Sequence, residues 1–307
     1  MIMLLDPRNP TPGERKDSMK PKRALLKILV ALLVLVALDV ALFFPRATDP
    51  PWQPAIGTPS AVFYNQAYSG AHPPLESKDY VATAREAAAR YRIEERVRRA
   101  MERYGPADPK VLEVGSGSGL LQDVVRDYTG LDIAETAACY YHKPFVAASA
   151  DSLPFADDTF DAVWSVWVLE HLTNPERALA EMRRVVRPGG ILVLMPAWNV
   201  SRWAARGYQH RPYSDFDWKG KLLKASVPVL RRAESAARRP IRLIRRATYQ
   251  LHGDRTPLRF HALTPNYDDF LVEDSDAAVS LDHVEAELWF RSRGDHLLEG
   301  AEVVRVN

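Results

Sequence analysis

The chain has 307 residues, enough for one large domain with appendages or for two small ones. With 47% hydrophobic and 26% charged residues it is not the composition of a disordered chain, and a formal charge of +2 points to no partner by itself. Cys139 is the only cysteine, which excludes an intramolecular disulfide and a Cys-based metal cluster and suits a reducing compartment; separately, no metal site is expected.

Residues 1–23 form a basic tail with Arg15, Lys16, Lys20, Lys22 and Arg23. Residues 24–44 follow as a transmembrane or anchor helix. Ile28 to Phe44 is apolar except for Asp39, and seventeen helical residues reach about 26 Å; Ala24, Leu25 and Leu26, with Lys27 snorkelling, complete a span. A buried core helix would show a polar face, and this segment shows none. A cleaved signal peptide is the other alternative, but Pro45-Arg46-Ala47 makes a poor cleavage site. Residues 45–78, rich in Pro and small polar residues, read as a linker, and residues 79–307 as the main domain.

Residues 79–104 carry Val81, Ala84, Ala88, Ile93, Val97 and Met101 at helical spacing. Val111-Leu112-Glu113-Val114 is a short buried strand, followed by Gly115-Ser116-Gly117-Ser118-Gly119 and then by Leu120, Leu121, Val124 and Val125, which suggest a helix. Strand, glycine turn and helix open a nucleotide-binding unit, in which glycines let a ligand lie against the main chain. A dinucleotide fingerprint needs glycine at Leu120 or Gln122, and a P-loop needs a lysine that this turn lacks. Both phosphate-binding readings fail.

Tyr128-Thr129-Gly130-Leu131 is a second strand ending at Asp132, nineteen residues after Glu113, where an acid grips a ribose diol. Phe145 to Ala148 gives a third strand ahead of Asp151-Ser152-Leu153. Phe160 to Ser165 gives a fourth, leading into Val168-Leu169-Glu170-His171-Leu172. A helix from Pro175 to Val186 stops at Arg187-Pro188-Gly189-Gly190, and Ile191 to Met195 is a fifth, apolar strand.

Glu113-x-Gly115-x-Gly117-x-Gly119 and this succession resemble the class I S-adenosylmethionine-dependent methyltransferases, in spacing the type-11 group, densely over 110–196 and loosely elsewhere. The resemblance implies a Rossmann-like α/β fold, a mostly parallel seven-stranded sheet with helices on both faces, and S-adenosylmethionine as cofactor. It implies that Glu113, Gly115, Ser116, Gly117 and Gly119 hold the methionine portion and that Asp132 and Ile133 hold the ribose. Asp151, Ser152 and Leu153 would meet the adenine, with Ser165 closing the set at the fourth strand. His171 stands near where the methyl group should emerge. It is the candidate general base, set against the preferred reading of a structural histidine.

Residues 198–275 form an insertion after the fifth strand, where such folds carry specificity. Trp198, Asn199, Arg202, Tyr213 and Tyr267 are its candidate substrate residues, because aromatics with arginines suit an anionic or sugar-like acceptor. An acidic cluster, Asp268-Asp269 and Glu273-Asp274-Ser275-Asp276, serves either this site or the neighbouring basic segment. That segment, 219–246, has ten basic residues against Glu234 and an apolar stripe of Leu223, Val227, Leu230, Ala237, Ile241 and Ile244. Pro228 and Pro240 should kink or divide it. It reads equally as an anionic-membrane helix and as a solvated helix packed on the domain; aromatics are too scarce there for nucleic acid. Ser280 to Phe290 suggests a capped helix, and Glu302 to Val306 a closing edge strand.

Three functions compete: a membrane-anchored methyltransferase acting on a lipid, lipid-linked glycan or small molecule; a catalytically silent, membrane-tethered binding module; and a soluble methyltransferase with a dispensable N-terminus. The positive-inside rule exports the domain, whereas the cofactor is cytosolic. The expectation is a cytoplasm-facing domain on a single-pass or monotopic segment.

Overall fold

Apolar runs bounded by glycines and acids form the strands of the sheet. The computed structural model describes residues 21–55, 57–69, 80–252, 255–267 and 274–307. Its strands are β1 (Lys110–Val114), β2 (Asp127–Asp132), β3 (Phe145–Ala147), β4 (Phe160–Val166), β5 (Val186–Met195), β6 (Phe260–Ala262), β7 (Val279–Leu281), β8 (His296–Glu299) and β9 (Val303–Arg305). Seven of them pair in the order β3-β2-β1-β4-β5-β9-β8, while β6 and β7 form a small separate ladder. Strands β1 to β5 pair in parallel; β9 runs antiparallel to β5 and β8. The central strands read as continuous Val, Leu and Ile because both sheet faces are covered, and Val111, Leu112, Val163, Leu192 and Val193 are all buried. This is the expected Rossmann-like architecture, a mostly parallel seven-stranded sheet.

The chain divides into two compact units, 1–44 and 45–307. The first contains α1 (Pro21–Phe43), whose stretch Leu25–Phe43 is long and apolar enough to cross a membrane. In the second, the stretch read as a linker is partly built into the domain. Asp49 accepts from the amides of Glu176 and Arg177, Asn174 donates to the Pro50 carbonyl, and Ala47 bridges to Phe260. Within the same stretch lies α2 (Pro59–Tyr68), started by Thr58 as N-cap with proline in the first turn.

Several other expectations change. The helix over 79–104 is two, α3 (Tyr80–Arg90) and α4 (Ile93–Tyr104), broken where Arg92 takes a left-handed φ of 52°. No helix follows the glycine turn: β2 begins at Asp127, so 120–126 can form only tight turns, although Leu121 and Val124 still bury beneath the sheet. Helix α5 (Pro175–Val185) gives way at once to β5, which absorbs Arg187-Pro188-Gly189-Gly190 because Gly189 and Gly190 exchange backbone hydrogen bonds with Val306.

In the insertion, α6 (Trp218–His252) stays one helix of 35 residues despite Pro228 and Pro240; packing of Val227, Ala237 and Ile241 outweighs the lost backbone bonds. Because β7 takes up Val279–Leu281, the expected helix at 280–290 starts later, as α7 (His283–Arg291) capped by Asp282. The expected closing strand, β9, is internal, and β8 is the edge.

Candidate functional site

The carboxyl ends of β1, β2 and β4 converge, and the glycine turn lies between them. Gly115, Gly117 and Gly119 have φ of 73°, 49° and 67°, a region costly for other residues. The Gly117 amide donates to Asp132 Oδ2 at 2.8 Å and the Ala134 amide to Oδ1 at 3.0 Å. Each carboxylate oxygen keeps a lone pair, and burial raises the Asp132 pKa while the neighbouring amides pull it back. Behind the turn, Glu113 accepts from Tyr128 at 2.5 Å inside the sheet, and burial pushes it up to about 8.

Asp151 follows β3 and is buried, taking the Ser149 hydroxyl at 2.7 Å, while Arg177 donates to its carbonyl. Ile133 is half-buried beside Asp132, Leu153 is buried and Ser152 is exposed. Ser165 Oγ, at the end of β4, is buried without a hydrogen-bond partner. A nucleoside ligand suits this set. The spare acceptors of Asp132, the orphaned Ser165 hydroxyl and a backbone turn too close-packed for side chains are what a ribose and an amino-acid tail would use.

Three tyrosines that sequence reasoning left out, Tyr64, Tyr68 and Tyr80, pack together beside the site, and Tyr68 reaches the turn. A Cβ on Gly117 would fall 2.5 Å from the Tyr68 hydroxyl, so this phenol from α2 stands directly over the glycine. Tyr68 and Tyr80 meet edge to face, as do Tyr64 and Tyr80, and burial raises all three phenols well above their ordinary range, keeping them as donors. The readable signal was Thr58-Pro59, a helix start, with Tyr64 and Tyr68 four residues apart on one face.

After β4 the chain makes a short 3-10 turn, Leu169–His171. Val168 packs so closely on the glycine turn that a Cβ at Gly115 would meet its Cγ2 at 2.1 Å. Trp167 and His171 flank Val168 and line a cavity of about 290 Å³, shared with Tyr80, Tyr91, Ile93 and Arg96. His171 Nδ1 is 3.4 Å from Asp276 Oδ2, the oxygen to which Tyr64 donates at 2.6 Å. Burial lowers the His171 pKa, but Asp276, Glu170 and Asp274 together raise it above its ordinary value. Burial likewise pushes Glu170 up to about 7, with His171 opposing. Ligand atoms of Glu170, His171 and Asp274 lie within 4.8 Å of one another, close enough to hold a cation.

The candidate substrate residues are not brought together. Trp198 and Asn199 line a second, smaller cavity of about 190 Å³ that shares Ala197 and Asp274 with the first. Arg202 is exposed with its guanidinium 3.4 Å from His261; Tyr213 is exposed under Lys224; Tyr267 packs against Phe63. None of these three lines either cavity. Asp268, Asp269 and Glu273 lie outside the described residues. Among the described residues the basic segment pairs with the N-cap and first turns of α7, through Arg242–Asp282, Arg245–Glu285 and Arg246–Glu287.

Residues 112–194 match the family model described as a methyltransferase domain. A ubiquinone/menaquinone biosynthesis C-methyltransferase, UbiE, of Bordetella avium is 38% identical over 78 residues, which is 25% of this chain and 30% of that protein. A demethylmenaquinone methyltransferase of Renibacterium salmoninarum is 38% identical over 95 residues, 28% of this chain and 40% of the relative. The chain thus spans well under half the length of these curated relatives. Among solved structures, the amino pentose methyltransferase CalS10 of Micromonospora echinaspora, with S-adenosylmethionine bound, is similar at 24% identity and a TM-score of 0.32, covering 42% of this chain and 60% of that one. The YcgJ protein of Bacillus subtilis is similar at 23% identity and a TM-score of 0.33, over 36% and 52% of the respective chains.

Proposed function

We propose that this chain, a member of the class I S-adenosylmethionine-dependent methyltransferase family, methylates a membrane-associated or small-molecule acceptor bound beside Trp167 and His171. The observation that carries the reading is the junction of the two halves of the site: Val168 touches the glycine turn, and its neighbours line the larger cavity. The cofactor supplies a sulfonium methyl for in-line displacement by the acceptor. Asp132 and the amides around it hold the ribose, Asp151, Ser152 and Leu153 the adenine, and Glu113 fixes the turn from behind through its Tyr128 bond. Tyr68 and Tyr80 close the site from water and offer hydroxyls to whatever lies on the turn.

Tyr80, Tyr91, Trp167 and Ile93 favour an acceptor that is apolar and in part planar. The relatives named for ubiquinone and menaquinone biosynthesis point the same way, and demethylmenaquinone is the first defined probe. Trp198 and Asn199 at the second cavity would meet a polar extension of that acceptor, with Arg202, Tyr213 and Tyr267 farther out. Helix α1 anchors the enzyme to a membrane, with the domain facing the cytoplasm where the cofactor is made.

Calorimetry with S-adenosylhomocysteine tests the cofactor half; no heat at millimolar ligand would leave only the silent binding module. Transfer of labelled methyl to demethylmenaquinone in detergent tests the acceptor half. Binding without transfer to that probe redirects the search to other acceptors while keeping the enzyme.

A further inference from the structure

We propose that the outward face of α6 lies flat on an anionic lipid surface. Trp218, Leu222, Val229, Leu243 and Leu251 are 67, 63, 65, 67 and 82% exposed. At helical spacing these five side chains fall within an arc of roughly 80°, with the exposed Ala225, Ala236 and Ala247 filling the row between them. This is not the stripe that packs on the domain. Val227, Ala237 and Ile241 are 6, 0 and 6% exposed on the other side of the helix, where Arg245 pairs with Glu285 of α7. The helix therefore has two apolar rows, one used and one turned to solvent. A long apolar row on a soluble surface marks an interaction face.

Charge selects the occupant. Lys221, Arg232 and Arg239 run along one edge of the outward row and make no ion pair among the described residues. The lone acid of the helix, Glu234, is buried beside Arg238. A second copy of α6 would bring no acidic flank to meet these cations, so helix-to-helix pairing gains apolar contact at the cost of repulsion. Anionic headgroups meet them directly, and each basic residue near such a surface adds to the attraction. Trp218 at the start of the row is the residue type that settles at a headgroup boundary.

The test reads depth rather than catalysis, and so is independent of the methyl-transfer reading. In full-length protein carrying Cys139→Ser, spin labels are placed singly at Leu222→Cys, Val229→Cys and Leu243→Cys, with the exposed, off-row Ser235→Cys as reference. The protein is put into nanodiscs containing phosphatidylglycerol or phosphatidylcholine alone. The expected result is an oxygen-to-nickel accessibility ratio several-fold higher at the three row sites than at 235 in the anionic discs, shrinking in the neutral ones. Equal ratios at all four sites in anionic discs, the same elevation in both lipids, or dipolar broadening between labels of two copies would each overturn the proposal.

Discussion

Gly117 and Asp132 are joined by a 2.8 Å hydrogen bond from the glycine amide to Oδ2, which ties the tip of β2 to the turn after β1. The acid is at once a structural acceptor and the group expected to meet a ribose. Asp132→Asn keeps the size but presents an amide NH₂ to one of two backbone donors. Losing hydrogen bonds to a charged group costs about 1.5–3 kcal/mol each, so S-adenosylhomocysteine affinity should fall about 10- to 100-fold by calorimetry. Unchanged affinity would remove Asp132 from the cofactor set.

The glycines differ in what confines them, and alanine should separate the causes. At Gly115 a methyl meets Val168 at 2.1 Å on top of a φ of 73°, so overpacking and strain combine to about 2–5 kcal/mol. At Gly189, φ is 81° but nothing lies within 4 Å, so strain alone costs about 1–2 kcal/mol. Urea midpoints of the two variants should rank in that order, and equal losses would show that the Val168 contact relaxes freely.

The sheet was legible because its strands are short apolar runs with acids and glycines at fixed ends, a pattern that burial on both faces enforces. The two acids proposed for the cofactor were legible as positions for the same reason: Asp132 ends β2 and Asp151 follows shortly after β3. Tyr68 and Tyr80 were not, and Asp276 was legible only as one of an acidic cluster with two possible partners. They reach the site from segments distant in sequence, and a Pro-rich composition at 45–78 masked the Thr58-Pro59 helix start. The missing helix at 120–126 is a matter of length, since seven residues cannot turn, form a helix and return to β2. The outward row of α6 was hidden by its neighbour, because the stripe of Val227, Ala237 and Ile241 already accounted for the helical periodicity.

Truncation should distinguish an anchor from an integral segment. Removing 1–44 takes away only the first compact unit, whereas removing 1–50 also takes Asp49, which caps α5 through two amides, and the Ala47 bridge to β6. Loss of a cap costs about 0.5–2 kcal/mol, so Asp49→Ala and the longer deletion should both lower the melting temperature while the shorter deletion does not. An equal Tm for both deletions would return residues 45–50 to the status of a linker.

Buried Glu113 makes the protein favour acid. Its folded pKa, about 8, exceeds the unfolded value near 4.5, so between those limits the folded state holds a proton that the unfolded state has released. That contribution to stability is whole below about pH 4.5 and is lost as pH rises toward 8, with a slope of up to about 1.4 kcal/mol per pH unit. Glu113→Gln mimics the protonated acid and should flatten the decline between pH 5 and 8 in thermal scans of the cofactor-free protein. A variant with the same slope as the parent would place the titration elsewhere.

His171 decides between two chemistries, and the acids around it favour the structural one. Burial lowers the His171 pKa, but Asp276, Glu170 and Asp274 outweigh it, so the imidazole holds its proton more tightly than a free histidine, and the protonated ring has no lone pair for abstracting a proton. A raised histidine pKa stabilises the fold fully below the unfolded value and ceases to do so as pH climbs through the folded one. His171→Gln should therefore lower the melting temperature more at pH 6 than at pH 9, while kcat falls less than tenfold. Loss of a general base costs about 10²- to 10⁴-fold in rate. A fall of that size with an unaltered melting temperature would make His171 the base and Asp276 its positioning partner.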